Sequence, residues 1–462
     1  MNNNFFTQSK DFLEEYSARI VIVDDIKPIE GKDKICLAVV AGMEVIVGKT
    51  EVNKGDVLIY CPIETVINAD FLRLNSLYEN PKYNADATKK GYFNNLGRVR
   101  ILKLGNTYSM GFLTKSEALS LITSNPMPEN LSEYVGTSFD TIDGINFVHV
   151  YVPEDNSLIK ETSGDSARKL NKKLHRYNQI IPGTFSFHYE TRQLNANIGR
   201  IQPTDIITIT EKLHGTSAIF ANIPVNFKLN IFQHICKLFG KKYEKYDIIY
   251  SSRKVIKNKY INKTQGPGFY CTDTWGYLAK QLNGIIPKNC TIYGECVGYN
   301  PGTTKAIQTV GGHVYTYGCI PKTCKLMIYR VKLNGKELNV RDVFDFSNTL
   351  SQASPSLQKL LLPINIFYQG PAAELYPDIK VNDNWHTNLL ERLKQDKTFY
   401  MEQDEPTCPK GTPAEGIVLR INDDPMAEAF KLKCLRFLDR EAKDIDKGIV
   451  DAESADNYSK EA

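Results

Sequence analysis

The spacing of short β-branched runs constrains this chain more than any other feature of its sequence. In the first 120 residues, Ile20-Val21-Ile22-Val23, Cys36 to Val40 and Met43 to Val47 follow one another, and Asn53-Lys54-Gly55-Asp56 turns the chain into Val57-Leu58-Ile59-Tyr60. β-Branched side chains fit a pleated, half-buried surface, while Asn, Gly and Asp tolerate the backbone angles of tight turns. Almost no helical periodicity separates these runs, so they predict short strands closing into a small OB-like β-barrel over residues 1–125. Arg98-Val99-Arg100-Ile101 alternates basic and apolar residues, so a strand there would pack one face and offer the other to solvent or phosphate. Arg98, Arg100 and Lys103 are accordingly candidate nucleic-acid contacts.

The texture then changes. Proline and serine interrupt residues 126–180, and a cationic stretch follows: Arg168, Lys169, Lys172, Lys173, His175 and Arg176. Such a run reads either as a solvated helix face or as a segment tracking phosphates between domains. A second domain is expected over 181–440. Its strands include Ile206 to Ile209, Thr291 to Tyr293, Val314 to Tyr317, Leu326 to Leu333 and Gly416 to Ile421, with Asn334-Gly335 as a hairpin turn. Helical spacing appears at Trp275, Leu278, Ala279 and Leu282, and again around Leu389, Leu390 and Leu393. The fold class is therefore α+β, with largely antiparallel sheets and flanking helices. Residues 441–462 read as a charged tail.

Composition excludes several classes without choosing among the rest. With 42% hydrophobic and 24% charged residues, the chain is neither a disordered polymer nor a fibre. The net charge of +4 neither requires nor forbids a nucleic-acid partner. No apolar run approaches the roughly 18 residues of a membrane span, and the N-terminal residues lack a secretory pattern. The ten cysteines form no paired zinc-ribbon or redox motif, so reduced thiols in a soluble, cytoplasmic protein are expected.

The sharpest local signal is Glu211-Lys212-Leu213-His214-Gly215-Thr216-Ser217, directly after an apolar strand. A lysine at a strand end presents its amine, and the glycine three residues on lets a phosphate approach the backbone. Alone, Lys-x-x-Gly recurs by chance about two or three times at this length and composition, and a surface lysine in a turn is the commoner reading. Three further segments add weight. Tyr293-Gly294-Glu295 ends a strand with a carboxylate, and Glu415 precedes the strand Gly416-Ile417-Val418. Phe430-Lys431-Leu432-Lys433 places two ammonium groups on one strand face, because side chains alternate with period two. Capped strand ends and a solvated edge are the plain alternatives for each segment taken singly.

In this order KLHG, YGE, EGIV and KLK, with Ser252-Arg253-Lys254 between the first two, resemble the ordered motifs of the covalent nucleotidyltransferases, which comprise DNA ligases, RNA ligases and mRNA capping enzymes. The resemblance covers about 181 to 440. Upstream, IEGKDKICLAVVAGMEVIVGK, NKGDVLIYCPIETV and GRVRILKLGNTYSMGF look like the OB domain that precedes the catalytic domain in the fifth family of RNA ligases. LLPINIFYQGP near 361 to 371 resembles a segment of the same enzymes. DNA ligases and capping enzymes carry a further domain after the last lysine motif. Only 29 of the 462 residues follow Lys433, too few for a domain of at least roughly 50. An ATP-dependent DNA ligase and a GTP-using capping enzyme are therefore the disfavoured enzymatic alternatives. A non-catalytic nucleic-acid-binding protein is the alternative from another class.

The resemblance implies an ATP-dependent RNA ligase that forms a lysyl-AMP intermediate, transfers AMP to a 5′-phosphate and seals it to a 3′-hydroxyl, at nicks in an RNA-containing duplex. Lys212 would be the nucleophile, with Lys431 and Lys433 on the α-phosphate. A free lysine amine ionises near 10.4, and nearby cations together with desolvation favour its neutral, nucleophilic form. Glu211 would line the adenine pocket, Arg253 would hold ribose or the incoming 5′-phosphate, and Tyr329 either stacks on adenine or belongs to the core. Glu295 and Glu415 would serve the ribose and a Mg²⁺ or Mn²⁺ shell, a cation that carboxylates reach through water. No membrane and no obligate protein partner are implied. His214 departs from the pattern, which has Asp there, and Asn226 to Tyr246 looks like an insertion that forms either a packed helix or a basic grip on the duplex.

Overall fold

The computed structural model describes residues 5–152, 180–189, 191–227, 229, 231–257, 272–422 and 429–449. The cationic stretch 168–176 and most of the charged tail thus lie outside the described residues. The chain divides into two compact units: Met1–Pro153 with Arg192–Arg200 and Asn382–Glu391, and Glu154–Thr191 with Ile201–Val381 and Arg392–Ala462.

The first unit is built from β1 (Ala18–Ile22), β2 (Asp25–Pro28), β3 (Ile35–Val40), β4 (Met43–Gly48), β5 (Val57–Pro62), β6 (Gly111–Thr114) and β7 (Ser138–Phe139), with shorter pairs around them. Four of these form an antiparallel sheet in the order β6-β5-β1-β7, and β2-β3-β4 form another. Alternation along β1 and β5 feeds two cores. Ile20 and Ile59 join Phe71, Phe112, Phe139 and Phe147, whereas Val21, Leu58 and Tyr60 join Val23, Ala38, Val40 and Val45. Among the described residues no sheet closes into the expected barrel. Val23 N–H donates to Asp56 O at 2.9 Å while Asp24 N–H donates to Val39 O at 2.8 Å, so consecutive residues pair in different directions and the chain leaves one sheet for the next. Pro28 and Pro62, which lack the N–H of a continuing ladder, also end their strands early. Arg98 to Ile101 is irregular rather than a strand, and only Arg98 bridges to Val66.

The second unit holds two larger antiparallel sheets. One contains β8 (Ile206–Lys212), flanked by β13 (Ile366–Pro371) and β14 (Gly416–Ile421), with β15 (Ala429–Lys433) beyond β14. The other is centred on β9 (Thr216–Val225), β10 (Lys245–Ser251), β11 (Cys290–Gly298) and β12 (Cys324–Leu333), in the order β10-β9-β11-β12. Leu361–Pro363 adds a parallel edge to β12, and the predicted Asn334-Gly335 turn pairs Leu333 with Lys336. Helices α1 (Ile231–Leu238), α2 (Thr274–Leu282), α3 (Val340–Ser351) and α5 (Leu435–Asp446) follow in chain order, whereas α4 (Trp385–Gln395) belongs through Glu391 to the first unit. α2 and α3 cover one face of the second sheet, where Trp275, Leu278, Leu282, Val343 and Leu350 pack on Phe220, Ile292, Leu326 and Ile328. The spacing that predicted α2 is thus the spacing of its buried face. Val314 to Tyr317 is strand only at His313–Val314. No helix among the described residues is long and apolar enough to cross a membrane. The eight cysteines Cys36, Cys61, Cys290, Cys296, Cys319, Cys324, Cys408 and Cys434 are free thiols, all but Cys408 buried.

Candidate nucleotide-binding site

β8 runs in one sheet and β9 in the other, and only Leu213, His214 and Gly215 join them. That crossing puts Lys212 at the mouth of a cleft lined from both sheets. Gly215 is required there, since a Cβ would come within 2.5 Å of Cys296 O and 2.8 Å of the Glu295 side chain. Its N–H donates to Glu295 Oε1 at 3.1 Å, and its carbonyl accepts from Gln308 Nε2 at 2.8 Å. His214 N–H donates to the Tyr317 hydroxyl at 2.7 Å. Across the sheet, Lys212 pairs in register with Gly416. A Cβ at Gly416 would overlap Leu432 O on β15, so glycine alone lets Glu415 turn into the strand.

The cleft encloses about 770 Å³, open solvent included, which is the scale of a small-molecule site. Glu211, Lys212, Arg253, Glu295, Tyr329 and Glu415 all line it, so six residues picked from five separate segments converge. Lys212 Nζ lies 2.8 Å from Glu415 Oε1, and Lys433 Nζ lies 3.5 Å from the same oxygen. Lys433 is also held by Glu441 on α5, at 3.0 Å. Lys431 sits two residues back on β15, opposite the cleft residue Val418, and neither it nor Lys433 itself lines the cleft. Burial pushes the Glu415 carboxyl up, but Lys212, Lys433 and His214 more than offset this and hold it at about 2. Glu211 goes the other way, raised to about 9 by burial and by the facing Glu405.

Sequence reasoning missed several lining residues. Arg420 stands on the same face of β14 as Val418, a period-two signal that was available. Its guanidinium is lowered to about 10 by burial and by Arg330, and it donates to Tyr329 O at 3.2 Å. His188 and Tyr189 come from an irregular segment with no periodicity to read. Arg330 clamps the Tyr189 ring from 4.1 Å, and the His188 ring stacks on Tyr329 at 5.2 Å between centroids. One face of Tyr329 is therefore taken by His188. Burial and the surrounding Arg253, Arg330, Arg420 and Lys212 hold that imidazole neutral. In the first unit, the structure places the Arg98 guanidinium inside the fold, on Glu64 at 2.6 Å and over the Tyr151 ring at 4.7 Å. Lys103 is exposed, with its ammonium over Tyr108, and Arg100 is half-buried.

The site fits a polar ligand on its own evidence. Among the described residues eight buried side-chain polar atoms lack a partner, and four of them belong to cleft residues: His188 Nδ1, His214 Nε2, Ser217 Oγ and Glu415 Oε2. Such atoms are costly unless something satisfies them. No group of three His, Cys, Asp or Glu that could hold a metal occurs among the described residues. Glu295 and Glu415 would instead suit a hard cation that retains several waters.

This mainly antiparallel arrangement is consistent with the fold seen in solved RNA ligase structures. Similar solved structures include those of Naegleria gruberi RNA ligase. A mutant with AMP and Mn superposes with a TM-score of 0.53 at 15% identity, covering 91% of this chain and 97% of that one. A second mutant, with ATP and Mn, gives 0.52 at 15% identity over 91% and 98%, and the enzyme with PPi gives 0.52 at 15% over 93% and 99%. No family model matches the sequence, nor does any curated protein.

Proposed function

We propose that this chain is an ATP-dependent RNA ligase acting through a lysyl-AMP intermediate on Lys212. The observation that carries the reading is the meeting of Lys212, Glu211, Arg253, Glu295, Tyr329 and Glu415 in one cleft. In the first step the Lys212 amine donates its lone pair to the α-phosphorus of ATP. The bond to the β-phosphate oxygen breaks, pyrophosphate leaves, one amine proton is released and a nitrogen–phosphorus bond remains. A 5′-phosphate oxygen then attacks that phosphorus and frees the lysine. Finally a 3′-hydroxyl oxygen attacks the activated 5′-phosphorus, AMP leaves and the hydroxyl proton is lost.

Each residue has a role that suits its surroundings. The Glu415 carboxylate positions the Lys212 amine, and their ion pair must open before attack. Lys433, which reaches the cleft residue Glu415, and Lys431 beside it on β15 would have to turn toward the phosphoryl group to offset its developing charge. Glu211, whose carboxyl is raised by burial and by Glu405, lines the adenine pocket. Arg253 holds ribose or the incoming phosphate, and Tyr329, backed by His188, packs against adenine. A Mg²⁺ or Mn²⁺ ion at Glu295 and Glu415 would supply charge screening on the phosphates. The substrate is a nick in an RNA-containing duplex, docked through the N-terminal unit by Arg100 and Lys103, with Arg98 bracing that surface from inside.

Label transfer tests the proposal. The protein is incubated with α-labelled ATP or GTP and Mg²⁺, denatured, and compared with Lys212→Ala. Acid-labile label from ATP alone, absent from the variant, is expected. Label from GTP would move the reading to capping chemistry. No label from a protein shown by mass to be free of bound AMP would end the ligase reading.

A further inference from the structure

The insertion between β9 and β10 is inside out. Val225 and Lys245 still pair in register, so the described residues between them lie at the tip of a long hairpin, with α1 (Ile231–Leu238) among them. An amphipathic helix on a globular protein ordinarily turns its apolar stripe inward. Here Ile231, Phe232, Leu238 and Phe239 are 81%, 71%, 86% and 86% exposed, while the polar Gln233 is half-buried. At about 100° per residue these four apolar positions share one arc of about 120°. Immediately after them come Lys241, Lys242 and Lys245, all exposed, with a single acidic neighbour, Glu244.

A surface of this kind selects its partner by two properties. Four large apolar side chains gain only from a partner that removes them from water, which a phosphate backbone does not do. The lysines beside them call for negative charge. An eight-residue helix at a hairpin tip offers a convex stripe rather than a groove, and it is far too short to span a bilayer. An anionic lipid surface meets each condition, with acyl chains for the stripe and headgroups for the lysines. We propose that the 226–244 hairpin tip docks this protein onto an anionic membrane surface, independently of the chemistry in the cleft. α1 would lie in the interfacial plane with Phe232 and Phe239 inserted and Lys241 and Lys242 at the headgroups.

The test uses the full chain and sedimented vesicles of phosphatidylcholine, with or without phosphatidylserine. Binding only to the anionic vesicles is expected. Phe232→Ser with Phe239→Ser, and separately Lys241→Glu with Lys242→Glu, should each weaken it by roughly tenfold or more. The melting temperature and nucleotide labelling of each variant, unchanged, show that the cleft unit remains folded. Failure to sediment with either vesicle overturns the proposal, as does undiminished binding by the Phe pair. Loss of binding to a single-stranded RNA oligonucleotide in the same variants, without vesicle binding in the parent, would reassign the tip to RNA. A concentration-dependent dimer that the Phe pair abolishes, again without vesicle binding, would reassign it to a second copy.

Discussion

Replacing Lys212 with Met removes the proposed nucleophile and the closest partner of a buried carboxylate, so it should cost stability as well as chemistry. Glu415 is held at about 2 against an ordinary 4.5, a gap of about 2.5 units. At 1.36 kcal/mol per unit this is about 3 kcal/mol of preference for the ionised, folded form. Two ammonium groups share that role, Lys212 at 2.8 Å and Lys433 at 3.5 Å, with side chains 21% and 19% exposed. Losing the nearer one should therefore destabilise the cleft unit by about 1.5 kcal/mol at pH 7. Because the folded value is depressed, the contribution is complete above the unfolded value of 4.5 and vanishes as the pH falls toward 2. The difference between parent and variant should thus shrink steadily from pH 5 to pH 3. Trp275 gives the readout. It is buried, and its indole N–H donates to Ser217 O at 3.0 Å, directly behind the cleft. Urea unfolding in a Trp385→Phe background follows this unit separately, as two units forbid a single two-state fit. A double-mutant cycle with Glu415→Gln isolates the pair, and a coupling of about 1–2 kcal/mol at pH 7 is expected. Coupling below about 0.5 kcal/mol, or coupling that does not change with pH, would refute the argument.

Two further predictions concern charge in opposite settings. Glu211 is raised from 4.5 to about 9, so folding requires it to hold a proton that the unfolded chain releases, and the penalty grows as pH rises through that interval. Glu211→Gln should unfold at higher urea than the parent by roughly 1–2 kcal/mol at pH 8, show no gain at pH 4, and keep its labelling by ATP at pH 7 within about threefold. In the first unit, Arg98→Ala strands the Glu64 carboxylate beside a buried cavity and should cost about 3 kcal/mol of that unit's stability. Lys103→Ala should leave stability unchanged and weaken duplex binding with a smaller salt dependence.

What could be read in the sequence was whatever the backbone period encodes. The strands that carry Lys212 and Lys433, and the one that Glu415 precedes, announce themselves by apolar runs, but Glu295, expected at a strand end, lies inside Cys290–Gly298, because the ladder with Met327 continues past it. Period also assigns Arg420 to the face of Val418. His188 and Tyr189 had no comparable mark. They sit in irregular chain, and what fixes them is Arg330 and Tyr329, some 140 residues away in sequence. The barrel expectation failed for a related reason. Strand number and turns were legible, but closure depends on which carbonyl each N–H finds at the Val23–Asp24 bend, and alternation is silent about that. For α1 the sequence supplied an apolar arc without saying which side of the helix the protein would occupy.

The cleft's charges also explain why Glu441 escaped notice although it touches the site. Read in order, Glu441, Lys433, Glu415 and Lys212 alternate in sign, with separations of 3.0, 3.5 and 2.8 Å. Each inner member is shared between two neighbours, but both lysines approach the same Glu415 oxygen and leave Oε2 without a partner. Glu441 belongs to α5, whose charged composition looks like a surface tail, yet Phe437 one turn earlier packs edge-on against His214 at 5.0 Å. That contact seats the helix and brings Glu441 to Lys433. Without Glu441, Lys433 would be free to close on Glu415 and compete with Lys212 for the single carboxylate oxygen both now approach. On this reasoning Glu441 is a positioning residue. In the proposed mechanism it keeps Lys433 at 3.5 Å from Glu415, near enough to compensate that carboxylate once the Lys212 amine has moved to phosphorus.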